Sequence, residues 1–204
     1  TVSYAQTQRH IDSLTLGYNG DYEAVQVQAG LRHDRMSGGT TATTGLLGAA
    51  VPVNEAWRVI GNLSTAFNLP TFNQLYFPNF GNTALVPQRN RGTEAGLKYN
   101  AGDLAMSAVV YNNDIQGFIV PSTNVQSALA VLRGVTLSGA YQSGETQYSM
   151  SYDYADPRSY STNPASNDVR LVRIARNVFN ARVNHRVGDW AVFGELKVSS
   201  ERED

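Results

Sequence analysis

Three histidines, His10, His33 and His185, are the chain's only imidazoles. None stands in the His-x-x-x-His spacing that brings two rings to one zinc ion, so each reads as an ordinary strand or turn residue. Cysteine is absent, which removes disulfides, thiolate metal sites and thiol nucleophiles together. Asp153, Asp156 and Asp168 are hard oxygen ligands by type. They lack the Asp/Asn/Gly rhythm of a calcium loop and read as solvated loop carboxylates. Ser143-Gly144-Glu145 and Gly38-Gly39-Thr40 read as turns, because no helix follows to present a nucleophile or cradle a phosphate. The sequence therefore predicts no catalytic residue, no metal, no cofactor and no enzyme.

Without reactive groups to place, the chain's elements carry the function. Its 204 residues are 42% hydrophobic and only 16% charged, with eleven Tyr and eighteen Gly. Mean hydropathy is mildly negative at -0.30, which suits apolar residues spaced out singly. A net charge of -1 and scattered basic residues give no field for nucleic acid, so no nucleic-acid partner is expected. No run approaches the ~18 apolar residues of a spanning helix. A transmembrane barrel needs only strands of ~9–11 residues with alternating polarity.

Period two dominates. Val25, Val27, Ala29 and Leu31 share one strand face, and Gln26, Gln28 and Gly30 the other. Trp57, Val59, Leu63, Thr65 and Phe67 alternate with Arg58, Asn62 and Ser64, with Ile60 on the polar side. Thr93, Ala95, Leu97 and Tyr99 oppose Glu94 and Lys98; Tyr148, Met150, Tyr152 and Tyr154 oppose Gln147, Ser149, Ser151 and Asp153. Trp190, Val192, Leu196 and Val198 oppose Glu195 and Lys197. Such runs predict ten strands, near 9–18, 22–33, 44–51, 55–67, 91–99, 104–113, 131–141, 146–154, 175–186 and 190–199.

Their connections alternate in length. Asn19-Gly20-Asp21, Pro52-Val53-Asn54, Asn100 to Asp103, Gln142 to Glu145 and Val187-Gly188-Asp189 have the Gly, Asn, Asp or Pro of tight hairpins. Between them lie long segments near 34–43, 68–90, 114–130 and 155–174. Short turns at one sheet end and long loops at the other fit an outer-membrane barrel, with short periplasmic turns and longer extracellular loops. Tyr4, Tyr18, Tyr22, Tyr76, Tyr99, Tyr111, Tyr141 and Tyr154 fall near predicted strand ends, where an interfacial girdle belongs. A soluble β-sandwich also alternates and stays open on pattern alone. Ligand contacts are expected from the long-loop end: Phe72, Asn73, Tyr76, Phe77, Phe80 and Asn82 in the second long segment, Arg158, Tyr160 and Arg173 in the last. The aromatics could equally staple their loop to the rim.

Ser64 to Tyr76 reads Ser-Thr-Ala-Phe-Asn-Leu-Pro-Thr-Phe-Asn-Gln-Leu-Tyr, followed by Gly81-Asn82-Thr83-Ala84-Leu85-Val86-Pro87-Gln88 and then Glu94, Gly96, Leu97 and Tyr99. This resembles the barrel motif of TonB-dependent outer-membrane receptors, with Leu69-Pro70 for Ala-Pro, Thr83 for Pro and Gln88 for Glu. Tyr111-Asn112-Asn113-Asp114-Ile115 with Gly117-Phe118-Ile119 resembles a further strand end of that family. Ser151 to Arg158, then Leu171, Arg173, Ala175 and Arg176, is similar to its cobalamin-receptor branch. The resemblance implies an all-β, antiparallel up-and-down transmembrane β-barrel, of which residues 1–204 supply about ten strands out of about twenty-two. It implies an N-terminal plug and final strands lying outside this chain, which stops at Glu201-Arg202-Glu203-Asp204. It also implies uptake energised by the TonB complex, outer-membrane lipid as a neighbour, and location in a Gram-negative outer membrane. The expected ligand is cobalamin. A ferric siderophore is the alternative within the family, and a soluble or surface-displayed β-sandwich binding module the alternative outside it.

Overall fold

A computed structural model describes residues 7–120, 123–161 and 167–202. Its elements are β1 (Ile11–Asp21), β2 (Gln26–Met36), β3 (Thr41–Pro52), β4 (Trp57–Asn68), α1 (Phe72–Tyr76), β5 (Gln88–Ala101), β6 (Leu104–Gln116), β7 (Ile119–Val120), β8 (Val125–Gln126), β9 (Leu129–Ser143), β10 (Thr146–Tyr160), β11 (Val169–Arg170), β12 (Asn177–Val187) and β13 (Trp190–Ser199). The ten predicted strands are all present as the long ones. They form one antiparallel sheet in the order β1-β2-β3-β4-β5-β6-β9-β10-β12-β13, so each strand pairs with its predecessor among the long strands, as an up-and-down meander requires. β11 adds to β10, and β7 pairs only with β8.

The register makes the period-two reading physical. Val51, Val59, Leu97, Ala108, Leu137, Tyr152, Phe179 and Val198 stand opposite one another in an unbroken row across eight strands. The adjoining row, on the other face, reads Arg58, Lys98, Ser107, Ser138, Ser151, Asn180 and Lys197. Side chains alternate along every strand, so a slip of one residue would reverse these faces. One face is thus a sheet of apolar side chains, the other of amides, hydroxyls and charges.

No second layer covers the apolar face among the described residues. Leu16 is 74% exposed, Leu63 55%, Leu137 45% and Trp190 77%. A soluble sandwich would bury these against a partner sheet, so the sandwich alternative fails. The buried apolar residues Met36, Leu85, Ile119, Ala130, Val131, Ala155, Leu171 and Ala175 all lie at the long-loop end, where loops fold over strand tips. The apolar run from Trp57 to Phe67 in β4 spans about 33 Å along the strand. At the ~40° tilt of barrel strands this is about 25 Å along the membrane normal, the height of an outer-membrane apolar band.

Several expected boundaries move. Asn19-Gly20-Asp21 belongs to β1, and the turn is Tyr22 to Val25, closed by reciprocal backbone bonds. Gly20 is needed inside the strand instead: a Cβ there would lie 2.7 Å from the Tyr22 ring and 2.8 Å from the Tyr18 hydroxyl. Gly102, Gly144 and Gly188 take positive φ (55°, 54° and 57°) as the first residue of two-residue turns between β5–β6, β9–β10 and β12–β13. That is the place of Gly in a type II′ hairpin. At the other end the first long segment, expected over 34–43, contracts to residues 37–40. His33 Nδ1 and Thr43 Oγ1 meet at 2.9 Å, and Asp34 accepts from Arg32 and from Ser13 of β1, so the ladder closes almost to the tip. The three remaining long connections, 69–87, 117–128 and 161–176, stay long.

The girdle also changes membership. Tyr4 lies outside the described residues. Tyr76 sits in α1, and Tyr111 points to the polar face, its hydroxyl 3.4 Å from Asp153. Trp57 packs on Tyr99 at 5.0 Å between ring centres, Tyr141 faces Tyr148, and Tyr18 meets Tyr22. With Trp190 these form the aromatic belt at the turn end.

Candidate functional site

The long-loop end carries what binding surface the described residues offer. After β4, Pro70 ends the strand and Thr71 caps α1. Its Oγ1 accepts from the Gln74 amide at 3.2 Å, while Gln74 Oε1 accepts from the Thr71 amide at 2.8 Å. This reciprocal capping box fixes a single helical turn that the sequence reading left as loop. The Thr71-x-x-Gln74 spacing was its signal. Gly81 then presses on the helix end, where a Cβ would sit 2.6 Å from the Leu75 carbonyl oxygen.

The next loop locks onto this one. Asn124, 3% exposed, donates from Nδ2 to the carbonyls of Gln74 and Phe80, both at 2.8 Å. Gln126 Nε2 donates to the Val86 and Gly117 carbonyls at 2.8 Å, and its Oε1 accepts from the Val86 amide at 3.1 Å. Gln88 Oε1 accepts from the Ile119 amide at 3.3 Å. Residues 71–88, 117–120 and 123–126 are therefore one unit. Asn124, Gln126 and Gln88 were not among the expected site residues; Gln88 entered only as a position of the barrel motif, and nothing in the local sequence marks Asn124 or Gln126, most of whose partners are backbone groups 40 to 50 positions away.

The expected contacts divide by position. Phe72 stacks on Tyr76 at 6.2 Å and lies under the Arg9 guanidinium at 5.1 Å. Asn82 is structural: its Oδ1 accepts from the Ala84 amide at 3.0 Å and its Nδ2 reaches the Asn124 carbonyl at 3.4 Å. Asn73, beside Phe72 in α1, shares that short helix. Phe77 and Phe80 stand 41% and 43% exposed; they are the aromatics of the set free to meet a ligand.

Arg158 and Tyr160 belong to the far loop, in the part of β10 that continues beyond its pairing with β12 at Tyr154. Arg158 pairs with Asp156 at 3.1 Å and with Asp168 at 3.6 Å. Asp156 first, then Asp168, hold this guanidinium above its ordinary pKa, so it stays a cation at any working pH. Tyr160 accepts from Arg133 at 3.1 Å. Arg173 sits in the left-handed region at φ 64°, just after the buried Leu171. Both strands place Arg158, Tyr160 and Arg133 on the apolar side of the sheet by register, away from the polar face.

The polar face near the loops carries other groups. Thr136 donates to Asp153 at 2.6 Å, with Tyr111 beside them, and Asn90 donates to Asn113 at 3.1 Å. Asp153 and Asp156 thus lie on opposite faces, and no cluster that could hold a metal exists among the described residues. His33 and His185 bond to Thr43 and Thr146 of neighbouring strands, as ordinary strand residues do.

A meander of long strands with a bare apolar band, an aromatic belt, a polar opposite face and long loops at one end defines part of the wall of a large outer-membrane-type β-barrel. The chain belongs to the family described as TonB dependent receptor-like, beta-barrel, which matches residues 1–202. It is 25% identical over 190 residues to the vitamin B12 transporter BtuB of Vibrio vulnificus (strain YJ016), a match covering 88% of this chain and 30% of that protein. Among solved structures it resembles the copper transporter OprC (TM-score 0.72, 20% identity, 94% of this chain and 34% of that one). It also resembles the siderophore receptor PirA from Pseudomonas aeruginosa (TM-score 0.70, 16% identity, 95% and 39%). The chain spans about a third of the length of these relatives.

Proposed function

We propose that the chain forms ten strands in the wall of a larger barrel, and that the whole protein is an active-transport receptor of the Gram-negative outer membrane, energised through TonB acting on a plug outside this chain. Its ligand on this reading is cobalamin. The supporting observation is where the cations point at the loop end. Arg158 and Arg133 face the apolar side, and Arg32, on the polar face, is tied to Asp34 at 2.8 Å. The lumen side there offers amides, hydroxyls and aromatic edges, such as Asn90, Asn113, Thr136 and Tyr111. Such groups suit a bulky, largely uncharged corrinoid, whereas an anionic ferric siderophore calls for free inward arginines. The likeness to a vitamin B12 transporter points the same way, and a ferric siderophore remains the second reading because a siderophore receptor is among the structural neighbours. Equilibrium binding of cyanocobalamin and of a ferric siderophore to the full-length receptor separates them. Tight siderophore binding with no cobalamin binding would overturn the proposal.

A further inference from the structure

Charge is divided unevenly between the two faces of the strands that carry the locked loops. Among the described residues, the loop-end half of β3, β4, β5, β6, β9 and β10 presents two carboxylates on the polar face, Glu94 and Asp153, and no Lys or Arg there. The arginines of these halves, Arg89, Arg91, Arg133 and Arg158, alternate onto the apolar face. There Asp114 stands opposite Arg91, Asp156 stands opposite Arg133, and Arg158 pairs with Asp156 at 3.1 Å. Neither inner carboxylate faces a cation across the ladder.

Glu94 is exposed and stands between Asn62 and Tyr111 of the adjoining strands. Asp153 stands between Thr136 and Val178. Thr136 donates to its Oδ1 at 2.6 Å, and the Tyr111 hydroxyl lies 3.4 Å from its Oδ2. Tyr111 reaches it by crossing β9 over Gly134, where a Cβ would sit 2.6 Å from the hydroxyl. Both donors are neutral, so they aim the carboxylate without cancelling its charge, and an asparagine could accept from them equally. The cations of the polar face stand elsewhere. Arg32 is tied to the buried Asp34, Arg182 faces Glu195 at 3.9 Å, Arg58, Lys98 and Arg186 lie at the turn end, and Lys197 is two strands beyond Asp153. Three strand spacings and two residue steps place Glu94 and Asp153 on the order of 15 Å apart, below the loop that exposes Phe77 and Phe80. Carboxylates so placed accept N–H groups strongly and raise the cost of an approaching anion.

We propose that Glu94 and Asp153 set the charge selectivity of the ligand path: they accept N–H groups of a neutral, amide-rich ligand and hold off an anionic one. The inference rests on the reading of cobalamin, whose corrin ring carries neutral side-chain amides, as the ligand, and of the polar face as the wall of its path.

The test uses the full-length receptor in neutral detergent and two probes that differ by one group: cyanocobalamin, and its monocarboxylate in which one side-chain propionamide is hydrolysed to propionate. Equilibrium dialysis read by corrin absorbance gives both affinities for each protein, and their ratio cancels any inactive fraction. The parent should bind the monocarboxylate about fivefold or more weaker at low salt. That gap should narrow near 1 M salt, where charges are screened within ~3 Å. In the double variant Glu94→Gln, Asp153→Asn the gap should fall below about twofold, because the anion no longer meets inward carboxylates. Asp114→Asn, on the outer face, should keep the parent's gap. Heat-modifiable migration on electrophoresis reports barrel integrity for each protein; if the double variant loses it, Glu94→Gln alone should close part of the gap. A parent without a gap, a gap unchanged in the inward variants, or equal closure by Asp114→Asn overturns the proposal. A parent that binds neither corrinoid overturns the cobalamin reading instead, and a ferric siderophore then judges the filter: an affinity that does not rise in the double variant overturns it as well.

Discussion

Asn124 Nδ2 lies 2.8 Å from the carbonyl oxygen of Phe80, across 44 positions of sequence. The same amide reaches Gln74 O, and the residue holds φ at 54°, a left-handed conformation that asparagine tolerates better than most residues. One buried side chain thus joins two loops that share no secondary structure.

Replacing Asn124 by Ala should loosen both loops together. Two carbonyls in a part-buried site lose their donor, at about 0.5–1.5 kcal/mol each, and alanine adds strain at positive φ. Asn124→Gly removes the bonds but relieves the strain, so it should be the milder of the two. Hydrogen exchange at the amides of 71–87, 117–120 and 123–126 should rise in both variants while β5 and β6 stay protected. Unchanged exchange would show that Gln126 and Gln88 suffice.

The two rows of the sheet make a sharper prediction. Leu137, in the apolar row, and Ser138, in the polar row, are sequence neighbours on opposite faces. Leu137→Arg should destabilise the barrel in vesicles by about 2–4 kcal/mol, the cost of arginine near the bilayer midplane. Ser138→Arg should cost far less, because its side chain enters the wet side. Reversible unfolding in denaturant, read by tryptophan fluorescence, compares them, and equal losses would mean the faces are misassigned.

These faces were legible because strand alternation is a local signal and the band has no second sheet to complicate it. The hairpin ends at Gly102, Gly144 and Gly188 were legible for the same reason: a two-residue turn must carry its own positive φ. What failed were boundaries set by contacts across strands. Nothing near Asp34 announces that Ser13 and Arg32 will close around it and lengthen β2, and Gly20 reads as a turn residue until Tyr18 and Tyr22 are seen to need its space. The binding end was legible only in outline. Phe72 to Asn82 were marked by composition, but which of them hold the loop and which are left free depends on Asn124 and Arg9, residues far away in the chain.

That division yields a test of the ligand surface. Phe77 and Phe80 are exposed, whereas Phe72 packs under Arg9 and against Tyr76. If the loop presents aromatics to a ligand, Phe77→Ala and Phe80→Ala should each weaken cobalamin binding by the full-length receptor by about twofold to tenfold, the scale of an aromatic contact of about 0.5–1.5 kcal/mol. Exchange protection at the amides of α1 should not change. Phe72→Ala should do the reverse in kind: it frees Arg9, which also donates to the Pro70 carbonyl at 3.0 Å, so α1 should lose protection whether or not ligand is present. Affinity lost in the Phe72 variant alone would mean that the loop's rigidity, and not its exposed rings, carries the binding.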